Sequence, residues 1–218
     1  MTDHPALARL IQTMATLRGE DGCAWDREQT HESLLPFLIE EAHELIDAVE
    51  EGDAQDIKEE LGDVLYQVLF HADIARAREG GFDIEDVAQT VDQKMRRRHP
   101  HVFEGVAVDG VDDIRANWQE IKAQEKAHRT SVFDGVPRSL TGLSRADALV
   151  TRAERAGIPL PHEPGEEPSS DEGWGAWLFA VLARAKARGI DAEQSLRAAM
   201  REQETQWREE EPGSGPAQ

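Results

Sequence analysis

The chain has 218 residues, 39% of them hydrophobic, with a formal net charge of −20 and a single cysteine. That length suffices for one domain or two small ones with a real core, and no apolar run approaches membrane-spanning length. The charge argues against a nucleic-acid partner, which needs basic surface. Cys23 alone makes no internal disulfide and suits a reducing cytoplasm, and the N-terminus shows no signal-peptide pattern. With 5 Trp, 6 Phe and 1 Tyr, no β-branched runs, and Ala, Leu, Glu and Arg dominant, the expected fold class is all-α.

In chain order, Pro5 to Leu17 sets Leu7, Leu10, Ile11, Met14 and Leu17 on one helical face, with Pro in the first turn. Gly19 to Thr30 reads as a loop. Its Trp25 is either a cover for a core edge or a flat apolar surface for a nucleobase, whose edge Asp26 would bond. Thr30 or Ser33 is placed to cap the next helix, with Pro36 in its early turns.

Pro36 to Asp73 reads as two helices split at Gly52-Asp53. On the first, Leu35, Leu38, Ala42, Leu45 and Val49 recur at three- and four-residue steps, an expected buried face. Glu41 falls on the edge of that stripe and Glu44 just beyond, with Glu40 beside them. On the second, Ile57, Leu61, Val64, Leu65, Val68 and Ala72 form the stripe, with Glu60 on its edge and Asp63 next round. Either set alone fits a solvated helix face. Two such helices packed antiparallel aim four carboxylates into one space, where they raise one another's pKa unless a cation intervenes. A hard, oxygen-seeking ion such as Mg²⁺ meets that need and takes phosphate oxygens as further ligands.

Gly80-Gly81 ends this helix, and Asp83 caps a third, with Asp86 three residues on in a capping-box pattern. That helix finishes in a basic cluster from Lys94 to His101. Cations in a last turn answer the helix dipole; the alternative is an anion clamp, in which Lys94 and Arg98 share a face and arginine offers a fork for phosphate. Pro100 stops the helix. A further helix, about Asp112 to Lys126, carries Trp118 and Lys122 on one face, an aromatic for a base beside a cation for a phosphate.

After Thr130 the character changes. Ser139 to Ala156 reads as helical, a Pro/Glu/Ser-rich break follows, and two more helices are expected, about Glu172 to Arg188 and Asp191 to Glu209. Gly62 to Leu69 lines up with Gly175 to Leu182, and Gly81-Phe82-Asp83-Ile84-Glu85 with Gly189-Ile190-Asp191-Ala192-Glu193. If these are repeats, Glu60 corresponds to Gly173 and Asp63 to Ala176, and the second copy has lost its acids; short matches of this kind also arise by chance. The expected organisation is a catalytic helical domain over 1–130, a connecting helix over 131–160, a flexible linker over 161–171, a degenerate helical half over 172–209 and a disordered tail over 210–218.

Five motifs together, Cys23-Ala24-Trp25-Asp26-Arg27-Glu28-Gln29-Thr30-His31, Glu40-Glu41-x-x-Glu44, Glu59-Glu60-Leu61-Gly62-Asp63, Lys94-x-x-Arg97-Arg98-His99-Pro100-His101-Val102-Phe103 and Trp118-Gln119-Glu120-Ile121-Lys122, resemble the MazG nucleoside triphosphate pyrophosphohydrolases. The resemblance runs from about Ala6 to Lys126, and Ser131 to Ala156 is similar to the connecting region of two-domain members. It implies an all-α bundle that pairs as a homodimer. The implied reaction, one of nucleotide-pool housecleaning, splits nucleoside triphosphates between the α and β phosphates into monophosphate and pyrophosphate. The implied cofactor is Mg²⁺, with Mn²⁺ as the alternative ion. Glu41, Glu44, Glu60 and Asp63 resemble the metal ligands, with Glu40 close by. Lys94, Arg98, Trp118 and Lys122 resemble the residues that hold the triphosphate and nucleoside, and Trp25 and Asp26 belong to the N-terminal motif. The departure lies at Gly173 and Ala176, so catalysis is expected of the N-terminal half alone.

Two other readings use the same residues. Glu40-x-x-His43 matches half of a di-iron carboxylate pattern, though His71 has no Glu three residues before it. A non-catalytic interaction module would leave the acidic face simply solvated.

Overall fold

A computed structural model describes residues 4–127, 129–161, 165, 166 and 168–210. All regular elements among them are helical, as the composition leads one to expect of an all-α chain. No helix among the described residues is long and apolar enough to cross a membrane. The tail expected over 210–218 lies outside them except for its first residue, as do residues 162–164 and 167 of the expected linker. Contacts divide the chain into two compact units, Met1–Ala123 and Gln124–Gln218.

The first unit begins with α1 (Pro5–Leu17), its proline in the first turn. Residues expected as plain loop include a short helix, α2 (Ala24–Glu28), whose buried residue is Asp26. α3 (Leu35–Glu51) and α4 (Ala54–Arg76) follow, packed more extensively on each other than any other pair. Two residues join them: Gly52 ends α3 and Asp53 starts α4. Its carboxylate accepts from the backbone N–H groups of Gln55 (2.6 Å) and Asp56 (3.1 Å), and the Asp56 carboxylate accepts from Asp53 N (2.9 Å). This reciprocal box satisfies donors that a helix start otherwise leaves orphaned. The same device opens α5 (Ile84–Arg98), where Asp83 and Asp86 exchange the equivalent bonds. Gly81 lets the turn close behind α4: a Cβ there would meet the Ala75 carbonyl oxygen at 1.9 Å. α6 (Pro100–Phe103) and α7 (Gly110–Glu125) complete the series.

Neither Thr30 nor Ser33 caps α3. They bond each other instead, Thr30 N to Ser33 Oγ at 2.9 Å and Ser33 N to Thr30 Oγ1 at 3.2 Å, in a turn that ends at Leu34, the N-cap without a side-chain bond. The core is Met14, Leu34, Leu69, Phe70 and Ile74, with Leu10, Ile11, Tyr66 and Ile84 packed against it. The buried stripes expected on α3 and α4 are realised only in part: Ala72 is buried, and Leu38, Leu45, Ile57 and Val64 are half-buried. Leu35, Val49, Leu61, Leu65 and Val68 are exposed, and α4 buries its C-terminal half instead, through Gln67, Leu69, Phe70, Ala72, Ile74 and Ala75. Periodicity marks an apolar face but does not say whether this chain or another covers it.

In the second unit, α8 (Gly142–Arg155), α9 (Asp171–Ala187) and α10 (Ala192–Glu210) pack together. α8 starts three residues later than the apolar pattern suggests, because Thr141 accepts from Ser144 N and caps it there.

Candidate functional site

The acids singled out on α3 and α4 converge in part. Glu41 from α3 and Glu60 and Asp63 from α4 each offer a carboxylate oxygen, and the three lie within 4.8 Å of one another. Glu60 and Asp63 stand three apart, so they share a helix face, and Glu41 meets them because α3 folds back on α4. Glu44 and Glu40 are exposed and outside this trio. Glu44 is nonetheless close enough for its charge to act on both Glu41 and Glu60.

Burial raises the Glu41 carboxyl above its ordinary range, and the negative charges of Asp63, Glu44 and Glu60 raise it further; the Gln67 amide, a hydrogen-bond donor, opposes them. Glu60 is raised for the same reasons, burial first and then the charges of Glu44, Asp63, Glu59 and Asp56. The Glu60 Oε2 atom is buried without a hydrogen-bond partner in the protein. A pure oxygen donor set, like charges held together, and a buried oxygen lacking a partner are what a hard divalent cation would satisfy.

Two residues that sequence reasoning passed over continue this face of α4. Gln67 is 4% exposed, and its Oε1 has no partner; the same is true of His71 Nε2. His71 meets His31 from the N-terminal motif, Nδ1 to Nδ1 at 2.8 Å. The ring planes agree within 3° with centres 5.1 Å apart, so contact is through the nitrogen edges rather than the faces. One nitrogen must donate and the other accept, leaving room for a single proton between them. Burial and the His31 charge hold His71 below the usual imidazole range. The available signal was the spacing Glu60, Asp63, Gln67, His71, polar at every helical turn through an apolar run.

The rest of the N-terminal motif fastens to the same helix. Asp26 is 6% exposed and accepts from the Tyr66 hydroxyl at 3.4 Å. Arg18 donates to the Asp26 carbonyl, bonds Asp73 at 2.9 Å and lies over the Phe70 ring. Trp25, by contrast, is 51% exposed and meets Phe37 of α3 edge-on, ring centres 5.8 Å apart.

The predicted basic group forms a second cluster. Arg98 of α5 and Lys122 of α7 both lie over the Trp118 ring, at 5.2 and 4.8 Å from its centre, a cation–π arrangement. Lys94 stands one turn before Arg98, half-buried. His43, on which a di-iron reading depends, has its Nδ1 on the Ile39 carbonyl at 2.7 Å and is not part of the carboxylate trio.

The profile of the MazG nucleotide pyrophosphohydrolase domain matches residues 29–103, a span that holds the trio, Gln67, His71 and Arg98 and omits Trp25, Asp26, Trp118 and Lys122. The nucleoside triphosphate pyrophosphohydrolase/pyrophosphatase MazG of Thermotoga maritima is 41% identical over 209 residues, covering 88% of this chain and 80% of that protein. The nucleoside triphosphate pyrophosphohydrolase of Escherichia coli K12 is 35% identical over 227 residues, covering 93% and 86%. Among solved structures, a mazG-related protein from Thermotoga maritima aligns at 32% identity and a TM-score of 0.45, over 53% of this chain and 97% of that one.

Proposed function

This chain belongs to the MazG family of nucleotide pyrophosphohydrolases, and we propose that it hydrolyses nucleoside triphosphates between the α and β phosphates, with Mg²⁺ as cofactor. The observation that carries the reading is the convergence of Glu41, Glu60 and Asp63 on one point. These three would hold the ion, with Glu44 near enough to complete the set; Mn²⁺, equally oxygen-seeking, would serve in its place. When bound, the ion supplies positive charge that offsets the phosphate oxygens and polarises the α-phosphorus.

The side chains do the remainder. A glutamate of the cluster accepts the proton of the attacking water, a role that suits carboxyls held above their ordinary range. Lys94, Arg98 and Lys122 face the charge that builds on the pyrophosphate as it leaves. Trp118, and Trp25 at the exposed end of the N-terminal motif, offer flat apolar surfaces for the base. Asp26 serves mainly as the fastener between that motif and Tyr66, and its contact with substrate is secondary.

The apolar residues left exposed on α3 and α4, among them Leu35, Ile39, Val49 and Leu61, support a homodimer in which a second copy covers them. A cytoplasmic setting, suited to a lone and exposed Cys23, belongs to the same proposal. The test is hydrolysis of ribo-, deoxy- and oxidised triphosphates with and without Mg²⁺, resolving pyrophosphate from orthophosphate. Monophosphate plus pyrophosphate, lost without metal, is expected. Orthophosphate alone would move the cut to the terminal phosphate, and no product from any triphosphate would leave only a binding module.

A further inference from the structure

We propose that His31 and His71 form a latch: the bond between them fixes the N-terminal motif, and with it Trp25, against α4, and protonation of both rings releases it, so that nucleotide affinity falls as pH falls. His71 is thereby a positioning residue, and the part that concerns nucleotide rests on the proposed function.

The bond runs from Nδ1 to Nδ1 at 2.8 Å, between rings whose planes agree within 3°. It forms between two neutral imidazoles, or between one neutral and one charged, because in either case one nitrogen carries a proton and the other a lone pair. When both rings are charged, two N–H groups face each other and no bond is possible. His71 has no second bond to fall back on, since its Nε2 is buried without a partner. Burial, and then the charge of His31, hold His71 below the usual imidazole range, which sets the releasing step below the ordinary value of 6.5. The other charges nearby are engaged elsewhere. Glu32 feels Arg78 as well as His31, Asp73 pairs with Arg18 and Arg76, and Asp26 accepts from Tyr66. Among the described residues, the charge that acts on His71 is that of His31 alone.

The latch reaches Trp25 through the turn that contains His31. Thr30 and Ser33 close that turn, Ser33 Oγ donates to Gln29 Oε1 at 2.7 Å, and Gln29 Nε2 donates to the Trp25 carbonyl at 2.9 Å. Arg18 and Tyr66 fasten the same short helix independently, both at Asp26. Opening the histidine pair therefore costs the motif its position on α4 without undoing its attachment.

The experiment compares wild type, His71→Asn and His71→Leu at pH 7.5 and 5.5. Asparagine sets an amide near the place of Nδ1 and does not titrate; leucine removes the bond at every pH. Amide-exchange protection over residues 24–34, corrected for the intrinsic rate, is expected to fall in wild type on acidification, to hold in His71→Asn, and to be low at both pH values in His71→Leu. With Mg²⁺ and whichever triphosphate wild type hydrolyses fastest, KM at pH 5.5 relative to pH 7.5 should rise about three- to tenfold more in wild type than in His71→Asn, the worth of one hydrogen bond, while the kcat ratios agree. Substrate and metal titrate alike in both reactions, so their own pH dependence cancels. Should His71→Asn fail to melt cooperatively, His31→Asn removes the second charge from the other side and is compared in its place. Equal loss of protection in wild type and the asparagine variant would overturn the latch. Loss of protection confined to wild type, with no difference in KM, would overturn the positioning role. If wild type hydrolyses no triphosphate, the proposed function fails by itself, and exchange over residues 24–34 still decides the latch.

Discussion

α4 and α9 make a contrast if the alignment of Gly62 to Leu69 with Gly175 to Leu182 is taken as a guide. Carried one residue further, it sets Phe70 against Ala183 as it sets Gln67 against Ala180, and all four are buried. Along α4 the face that holds Gln67 also carries Glu60, Asp63 and His71; along α9 the aligned places hold Gly173, Ala176 and Arg184. A helix can thus bury this side with small apolar residues alone, and the polarity of α4 is a burden its packing does not need. The second helix also resists conversion. A Cβ on Gly173 would come within 2.7 Å of Pro168 Cβ, so a glutamate there displaces the chain ahead of α9, and α8 opposes α9 with Ala146, Val150 and Ala153 rather than acids.

The largest expected effect breaks the acidic helix of that pair. Glu41→Gln keeps the shape of the side chain and removes one charge from the cluster. Several kcal/mol of transition-state stabilisation would go with it, about a thousandfold or more in turnover. The metal-free protein should melt no lower, because a repelling charge has been removed. Ala176→Asp in α9 should leave the number of bound Mn²⁺ ions unchanged, since a lone carboxylate has no partners there. Retained Mg²⁺-dependent turnover in the first variant, or an added ion in the second, would undo the contrast.

Much of this arrangement is visible in the sequence, for local reasons. Pro5 starts a helix, Asp83 with Asp86 starts another, and Gly80-Gly81 closes the turn after α4 because Gly80 takes a positive φ and backbone leaves no room for a side chain on Gly81. Glu41, Glu60 and Asp63 stand out because acids at the border of an apolar stripe recur on consecutive helices. Gln67 and His71 do not, since a polar residue inside an apolar run weakens the pattern instead of making one. The bond between His31 and His71 spans forty positions, and no spacing rule reaches that far. Leu35, Leu61 and Val68 are expected in a core and lie exposed, because an apolar stripe in a sequence does not say what covers it.

The next effect concerns what holds each unit together. In the first, Arg18 and Asp73 pair with both side chains only 10% exposed, and Arg18 also supports α2 through the Asp26 carbonyl. Arg18→Met should cost about 2–3 kcal/mol, since it removes one charged partner of a mostly buried carboxylate that keeps its pair with Arg76 at 2.7 Å. Urea unfolding would show a lower midpoint, and loss under about 1 kcal/mol would mean the pair is solvated. Asp26 and the His31 contact should loosen with it, visible as faster amide exchange over residues 24–31.

A smaller change comes with pH. His71 binds its proton less readily folded than unfolded, so the unfolded state takes up more protons as pH falls below the ordinary value of 6.5, and stability declines there. Above that pH the contribution is fully present. Glu41 and Glu60, raised in the fold, act oppositely: they hold protons more tightly folded, and add stability as pH falls toward 4.5. The two are separated by His71→Asn, which keeps a polar group opposite His31 but does not titrate. Between pH 7.5 and 5.5 the wild-type melting temperature should fall relative to this variant. Parallel curves would remove the His31–His71 pair from the account.

The smallest expected effect lies in the second unit, and it tests whether that unit is fastened as loosely as its surface suggests. Lys186 of α9 bonds Asp147 of α8 at 2.5 Å, with the aspartate side chain 56% exposed. The aspartate end of the pair lies largely in water, which screens it, although the lysine side chain is 25% exposed. Lys186→Met should therefore change stability by less than about 1 kcal/mol, against the larger loss expected for Arg18. α8 and α9 would then be held by Ala146, Val150, Ala153, Ala180 and Ala183, the residues they bury. A loss for Lys186→Met approaching that of Arg18→Met would mean that this ion pair is shielded in solution, and that the two units are fastened alike after all.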